Sequence, residues 1–162
     1  MAVLDGGLAQ WRREGRPVEA GEICYPPAEF TARRRPGLIA DKAQMREAST
    51  RDDILLLNTV DPVTHAGGRT TFSRPGHIPN SRNVWYEDIL DAATGTLDPA
   101  KRTITYCGSG IAASVEVLVL ATLGRDDVAI YDGSLTEWTA DPDLQLETGA
   151  WARAGTQTGG HS

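Results

Sequence analysis

The chain has 162 residues, of which 40% are hydrophobic and 23% charged, and a formal net charge of -6. That length suits one domain with one core, or one domain plus a fragment of another, and excludes two full α/β domains. The acidic balance argues against a nucleic-acid partner, because phosphate neutralisation needs a positive surface. No run approaches the ~18 apolar residues of a spanning helix, so no membrane partner is expected. Met1-Ala2-Val3-Leu4-Asp5 carries neither a basic region nor a long apolar stretch. This reads as a chain without a secretory signal, and a cytoplasmic location is expected. Two cysteines, Cys24 and Cys107, are too few for a disulfide scaffold. His65, His77 and His161 show no metal-ligand spacing. Neither metal nor cofactor is expected, and what stays open is a thiol with a chemical role.

Four regions differ in composition. Residues 1–19 read as a short strand, a Gly6-Gly7 turn and a helix from Leu8 to Glu14, stopped by Gly15 and Pro17. Such a unit cannot bury its apolar face alone. Residues 20–37 hold Pro26, Pro27, Pro36 and the basic run Arg33-Arg34-Arg35, and read as an extended linker. Residues 38–149 carry almost all the periodic apolar signal. Residues 150–162 are rich in Gly and Thr and read as a flexible tail.

Within 38–149, strand and helix signals alternate. Asp41 to Ala48 reads as a helix, with Asp41 and Gln44 at capping-box spacing. Ile54-Leu55-Leu56-Leu57 is a continuous apolar run, the signature of a strand buried on both faces. Asp61 to Arg74 reads as irregular. Ile104-Thr105-Tyr106 is a second strand and leads into Cys107. Residues Ala112 to Leu123 read as a helix apolar almost all round (Val115, Val117, Leu118, Val119, Leu120, Leu123), hence largely covered, with Gly124 as its C-terminal stop. Val128-Ala129-Ile130-Tyr131 is a third strand. Ser134-Leu135-Thr136-Glu137 then reads as a second capping box opening a short helix. The fold class is α/β: a central parallel sheet with helices on both faces.

The chemical centre is Tyr106-Cys107-Gly108-Ser109-Gly110-Ile111-Ala112. A cysteine closes a buried strand, a glycine-containing loop follows, and a helix begins. That order aims loop N–H groups and a helix N-terminus at one spot, which stabilises an anion such as a thiolate. From the loop alone two readings stand: a reactive thiol, or a small buried structural residue.

Three segments, in order, resemble the rhodanese family, specifically the catalytic C-terminal domain of two-domain sulfurtransferases. Gly76-His77-Ile78-Pro79-Asn80-Ser81-Arg82-Asn83-Val84 is similar to its Gly-His-Ile-Pro-Gly-Ala-x-Asn-Val signature. Cys107-Gly108-Ser109-Gly110-Ile111-Ala112 is similar to its active-site loop, Cys-Gly-x-Gly-Val-Thr. Tyr131-Asp132-Gly133-Ser134-Leu135-Thr136-Glu137-Trp138 is similar to its closing Tyr-Asp-Gly-Ser-Trp-x-Glu-Trp. Val3 to Trp11 resembles the same closing motif, so residues 1–19 are expected to be the remnant of a preceding rhodanese domain. The resemblance implies a rhodanese-like fold over 38–149. It also implies a sulfurtransferase that moves a sulfane sulfur from thiosulfate or 3-mercaptopyruvate to a thiol or cyanide. Cys107 would be the nucleophile that carries the persulfide. Gly108, Ser109, Gly110, Ile111 and Ala112 would hold it through their backbone N–H groups. The implied partners are these small molecules, with a homodimer or a chain supplying the N-terminal domain as possible macromolecular ones.

The departures bear on activity. Asn58 and Val60 stand where the family carries an Asp and an Arg, so an ion pair is lost on both sides; this is milder than losing one partner. Thr64 and His65 stand where two-domain enzymes carry a substrate-anion Arg and an aromatic. Arg74, or Arg69, is left as the candidate to bind a donor anion. Asn80 replaces a Gly and can take positive φ; Ala112 and Leu135 replace a Thr and a Trp. A structural role is expected for His77. The competing function is a regulatory or degenerate rhodanese-fold module with weak or no turnover. A cysteine phosphatase or arsenate reductase is excluded by Ala113, where a Cys-x5-Arg loop needs arginine.

Overall fold

The computed structural model of the chain describes residues 3–33, 35–85 and 100–149. Two compact units divide it at Arg33. In the first, a turn at Asp5-Gly6 leads directly into helix α1, Gly7–Arg13. The expected short strand is absent among the described residues Val3–Asp5, because the unit offers no second strand to pair with. Gly7 N–H instead donates to Leu4 O at 3.0 Å. No residue of α1 is buried, and Val3, Leu4 and Leu8 are all more than half exposed. The unit leaves its apolar face uncovered, as its size requires. The Trp11 indole N–H donates to Pro17 O and closes the helix onto the following chain.

The second unit is built on five parallel strands: β1 (Ile39–Ala40), β2 (Ile54–Asn58), β3 (Ser81–Asn83), β4 (Arg102–Tyr106) and β5 (Ala129–Tyr131). Their spatial order is β1-β5-β4-β2-β3, with β4 at the centre. Leu56 lies opposite both Ile104 and Ser81, and Asn58 opposite Tyr106 and Asn83. The helices are α2 (Lys42–Ala48), α3 (Pro62–His65), α4 (Ile111–Thr122) and α5 (Ser134–Ala140). Side chains of β2 alternate between two apolar clusters, as expected for a strand buried on both faces. Leu56 packs with Met45 of α2 and with Leu135 and Trp138 of α5. Leu55 and Leu57 pack with Leu120 of α4 and Val128. The doubly covered parallel sheet is the rhodanese-like α/β architecture expected from the sequence. No described helix is long and apolar enough to cross a membrane.

Local signals explain most element ends. The Asp41 carboxylate accepts from Gln44 N–H at 2.8 Å while Gln44 Oε1 accepts from Asp41 N–H at 3.0 Å, the full capping box. At the end of α4, Gly124 takes φ +86° and Arg125 N–H reaches back to Leu120 O at 2.8 Å. Besides the missing strand, and helix α3 inside the stretch Asp61 to Arg74 that reads as irregular, two expectations fail. Helix α4 is only partly covered: Ile111 is 76% and Leu118 42% exposed, and its buried positions are Ala113, Glu116 and Leu120. The helix meets the sheet along one side only, and that side carries a carboxylate that accepts from the Thr105 hydroxyl. Helix α5 has no capping box either. Ser134 lies inside the helix at φ +49°, and Glu137 accepts from the Tyr131 hydroxyl at 2.6 Å instead of capping.

Candidate active site

Cys107 directly follows the central strand, at the carboxyl edge of the parallel sheet, where open α/β sheets place ligands. It is buried, while Cys24 is exposed in the other unit. Residues 108–110 turn the chain into α4, with Gly110 as N-cap at φ +83°. A Cβ at Gly110 would stand 2.7 Å from Asp132 Oδ1, and one at Gly108 would stand 2.8 Å from the Phe72 ring. Gly110 is needed for its backbone angle, and a side chain at Gly108 would have to displace the Phe72 ring. Ser114 N–H is the first to bond back within α4, to Gly110 O. The N–H groups of Ile111, Ala112 and Ala113 thus have no intrahelical partner and sit at the positive end of the helix dipole.

The start of α5 clamps this loop from below. Leu135 N–H donates to Cys107 O and Thr136 N–H to Gly108 O, both at 3.0 Å. The Thr136 hydroxyl donates to the same Gly108 oxygen at 2.8 Å. Cys107 N–H donates to Ser134 Oγ at 3.1 Å, and that hydroxyl donates onward to Tyr131 O. The unpaired N–H groups that open one helix thus fix the loop that opens another. Ser134, at the spacing of a capping residue, bonds the cysteine backbone and Tyr131 O instead of capping α5.

Cys107, Gly108, Ser109, Ile111 and Ala112 line one wall of a cleft of about 780 Å³. The facing wall comes from Thr59, Val60, Asp61, Thr64, Arg69 and Phe72, with Trp85 beside them. Gly110, the N-cap of α4, does not itself line the cleft. Arg74 does not line the cleft, which corrects the expectation that it could hold a donor anion. Its Nε donates to Thr139 O at 3.0 Å and a terminal nitrogen to Asp141 O at 2.6 Å. Carbonyls at the end of α5 draw the guanidinium away, at the negative end of the helix. Arg69 does line the cleft and pairs with Asp61 at 2.8 Å. Asp61 is held further by Val63 N–H, Thr64 N–H and the Thr64 hydroxyl. Burial pushes its carboxyl up, but the Thr64 donors and the Arg69 guanidinium outweigh that and hold its pKa at about 2.

Behind this wall, where the resemblance implies an Asp and an Arg, this chain makes neutral polar contacts. The buried Asn58 amide bonds His65 Nδ1 at 3.1 Å and its oxygen accepts from Val60 N–H at 3.2 Å. His65 stacks on His77, with ring centroids 3.7 Å apart. Burial first, and His77 second, lower the His65 pKa to about 4. His77 Nδ1 donates to His65 O at 2.7 Å, and His77 is not among the residues that line the cleft. Asn80 takes φ +62° and its amide donates to Arg51 O. Burial also lifts Glu116 to about 7, against the opposing bond from Thr105. Among the described residues, no cluster of three His, Cys, Asp or Glu could hold a metal. Sequence reasoning missed Phe72 and Asp61 as cleft residues. Phe72 is the sole Phe, Tyr or Trp between Asp61 and Arg74, and that was the available signal.

The rhodanese-like domain model matches residues 42–141. The 3-mercaptopyruvate sulfurtransferase of Escherichia coli K12 is 32% identical, over 91% of this chain and 58% of its own length. The human 3-mercaptopyruvate sulfurtransferase is 29% identical, over 85% of this chain and 52% of its own. The chain therefore spans about half the length of the curated relatives it matches. Among solved structures, an EanB variant bound to ergothioneine aligns with TM-score 0.77 and 23% identity, over 91% of this chain and 41% of that one. Tum1 of Saccharomyces cerevisiae aligns with TM-score 0.69 and 22% identity, over 86% and 58%. At such identity these two speak to the fold alone. With the Cys-Gly-x-Gly loop at the carboxyl edge of the sheet and the family model covering most of the second unit, the chain belongs to the rhodanese-like domain family.

Proposed function

We propose that this chain transfers sulfane sulfur through a persulfide on Cys107. The observation that carries the reading is the placement of a buried cysteine just ahead of a Gly-x-Gly loop that leads into a helix whose first three N–H groups have no intrahelical partner, on the wall of a cleft. The Cys107 thiolate attacks the outer sulfur of a donor. With thiosulfate the S–S bond breaks and sulfite leaves with the electron pair. With 3-mercaptopyruvate the C–S bond breaks and the pair leaves as an enolate, which takes a proton to give pyruvate. A thiol or cyanide then attacks the outer sulfur of the persulfide and restores the thiolate. This is double-displacement covalent catalysis. The backbone N–H groups of Ile111 and Ala112 and the dipole of α4 are the groups at the start of the helix that would stabilise negative charge developing during the transfer.

The sulfurtransferase names of the curated relatives support the reaction class. The test is mass spectrometry of the protein after incubation with donor: a gain of about 32 Da, one sulfur atom, that vanishes in Cys107→Ser. Cyanide should then remove the gain and yield thiocyanate. A second reading, a regulatory module that is persulfidated but does not turn over, is favoured by Val60 and Thr64 on the facing wall. A mass gain without thiocyanate would select it.

A further inference from the structure

We propose that the cleft takes a sulfur donor whose non-reacting end is uncharged and apolar: a hydropersulfide R–S–SH with an alkyl or aromatic R. This rests on the sulfur-transfer reading of Cys107 and narrows it to a donor class. Three observations converge. The first is charge. Among the described residues of the cleft, the cationic side chain is Arg69, and its guanidinium sits 2.8 Å from the Asp61 carboxylate. Asp61 is itself fixed by Val63 N–H and by the N–H and hydroxyl of Thr64. The pair sums to zero, and an incoming anion must compete with a carboxylate already in place.

The second observation is the character of the walls. Val60, Phe72, Trp85, Ile111 and Val115 all line the cleft. Phe72 packs against the Cα of Gly108, so its ring borders the residue next to the nucleophile. Ile111, at the rim, leaves 76% of its surface exposed. Apolar surface of this kind gains by covering an apolar group and gains nothing from a sulfonate or carboxylate. The third is size. A cleft of about 780 Å³ lies in the range that encloses a ligand of drug size, well beyond a donor of a few atoms.

The step is balanced without further reagents. The Cys107 thiolate attacks the terminal sulfur of R–S–SH, the donor S–S bond breaks, and R–S⁻ leaves with the electron pair. The proton stays with the new Cys107 persulfide. Phe72 and Val60 act in this step as specificity residues, holding R while the terminal sulfur meets the thiolate.

The experiment uses the full chain carrying Cys24→Ser, so that the mass gain reports Cys107. Rates of persulfidation are measured with benzyl hydropersulfide and with thiosulfate. Each is divided by the same donor's rate with free N-acetylcysteine, which removes intrinsic reactivity. The expected ratio favours the benzyl donor by about tenfold, the scale of one well-made aromatic contact. Phe72→Ala should lower the benzyl rate by about tenfold more than it lowers the thiosulfate rate. Val60→Arg, checked for folding by circular dichroism, should raise the thiosulfate rate and lower the benzyl rate. A normalised preference for thiosulfate overturns the donor class while leaving the persulfide reading intact. So does an equal loss for both donors in Phe72→Ala, which would make that ring a support of the loop. No mass gain from either donor removes the persulfide reading itself, and the donor class with it.

Discussion

The two walls of the cleft were assembled by different rules. On one side, Cys107 to Gly110 keeps the Cys-Gly-x-Gly pattern of the family loop, and backbone contacts dominate it. Two N–H groups and a hydroxyl from the start of α5 hold the carbonyls of Cys107 and Gly108. On the other side, Asn58 to Phe72 departs from the family pattern, and side chains dominate it: Asn58 on His65, Asp61 on Thr64 and Arg69. Backbone clamping tolerates replacement of most side chains, provided the glycines remain. A side-chain wall changes its chemistry with each replacement. The lesson is that nucleophile placement and substrate recognition are separable here. The first can survive while the second is rebuilt.

The largest way to break this separation is through the loop glycine. Gly110→Ala places a Cβ at φ +83° and 2.7 Å from Asp132 Oδ1. Strain and displacement together should cost about 2–4 kcal/mol, read as a shift of the denaturation midpoint, with loss of Cys107 persulfidation. A stable, fully persulfidated variant would show that the loop does not depend on its backbone. Ser134→Ala removes the acceptor of Cys107 N–H and leaves a buried donor unpaired. A cost of about 1–3 kcal/mol is expected, with slower persulfidation and an unchanged donor preference. A changed preference would contradict the independence of the walls.

Each side of the molecule also carries a buried titratable group, and the two oppose each other. His65 has its pKa lowered from 6.5 to about 4 by burial and then by His77. In that window the unfolded chain binds a proton that the folded chain refuses, so stability falls as pH drops. Glu116 has its pKa raised from 4.5 to about 7 by burial. There the folded chain keeps a proton that the unfolded chain releases, so stability falls as pH rises. Between pH 5 and 7 each amounts to about 2 kcal/mol, and they nearly cancel. Glu116→Gln keeps a partner for Thr105 and removes one slope. Urea denaturation of this variant should show about 2 kcal/mol more stability at pH 7 than at pH 5. A flat profile would place His65 in water rather than in the wall. The smallest effect is expected from Asp61→Ala, which strips the cap from α3 and releases Arg69. It should cost about 1 kcal/mol in stability, and with Arg69 free it should speed loading by thiosulfate.

Legibility in the sequence follows the same division. The strand at 54–58 stands out because its apolar run, Ile54 to Leu57, reflects burial on both faces, whereas 102–106 offers only Ile104 and Tyr106 among polar residues. Strands β1 and β3 have two and three residues, too few for any period to register. The loop and its cysteine were readable because glycine spacing is dictated by the backbone. The facing wall was less so. Arg74 and Arg69 look alike in sequence, and only the carbonyls at the end of α5 separate them. Helix α4 looked uniformly apolar because Glu116 is a single residue in its pattern, yet it occupies a buried position against Thr105. Ser134 and Glu137 satisfied the spacing of a capping box, but Cys107 N–H and the Tyr131 hydroxyl claim their side chains.

The most direct measurement is the intact mass of the Cys24→Ser chain after incubation with a sulfane-sulfur donor, beside the same chain carrying Cys107→Ser. A gain of about 32 Da in the first and none in the second is predicted. An equal gain in both, or none with any donor, would contradict a sulfur-carrying role for Cys107.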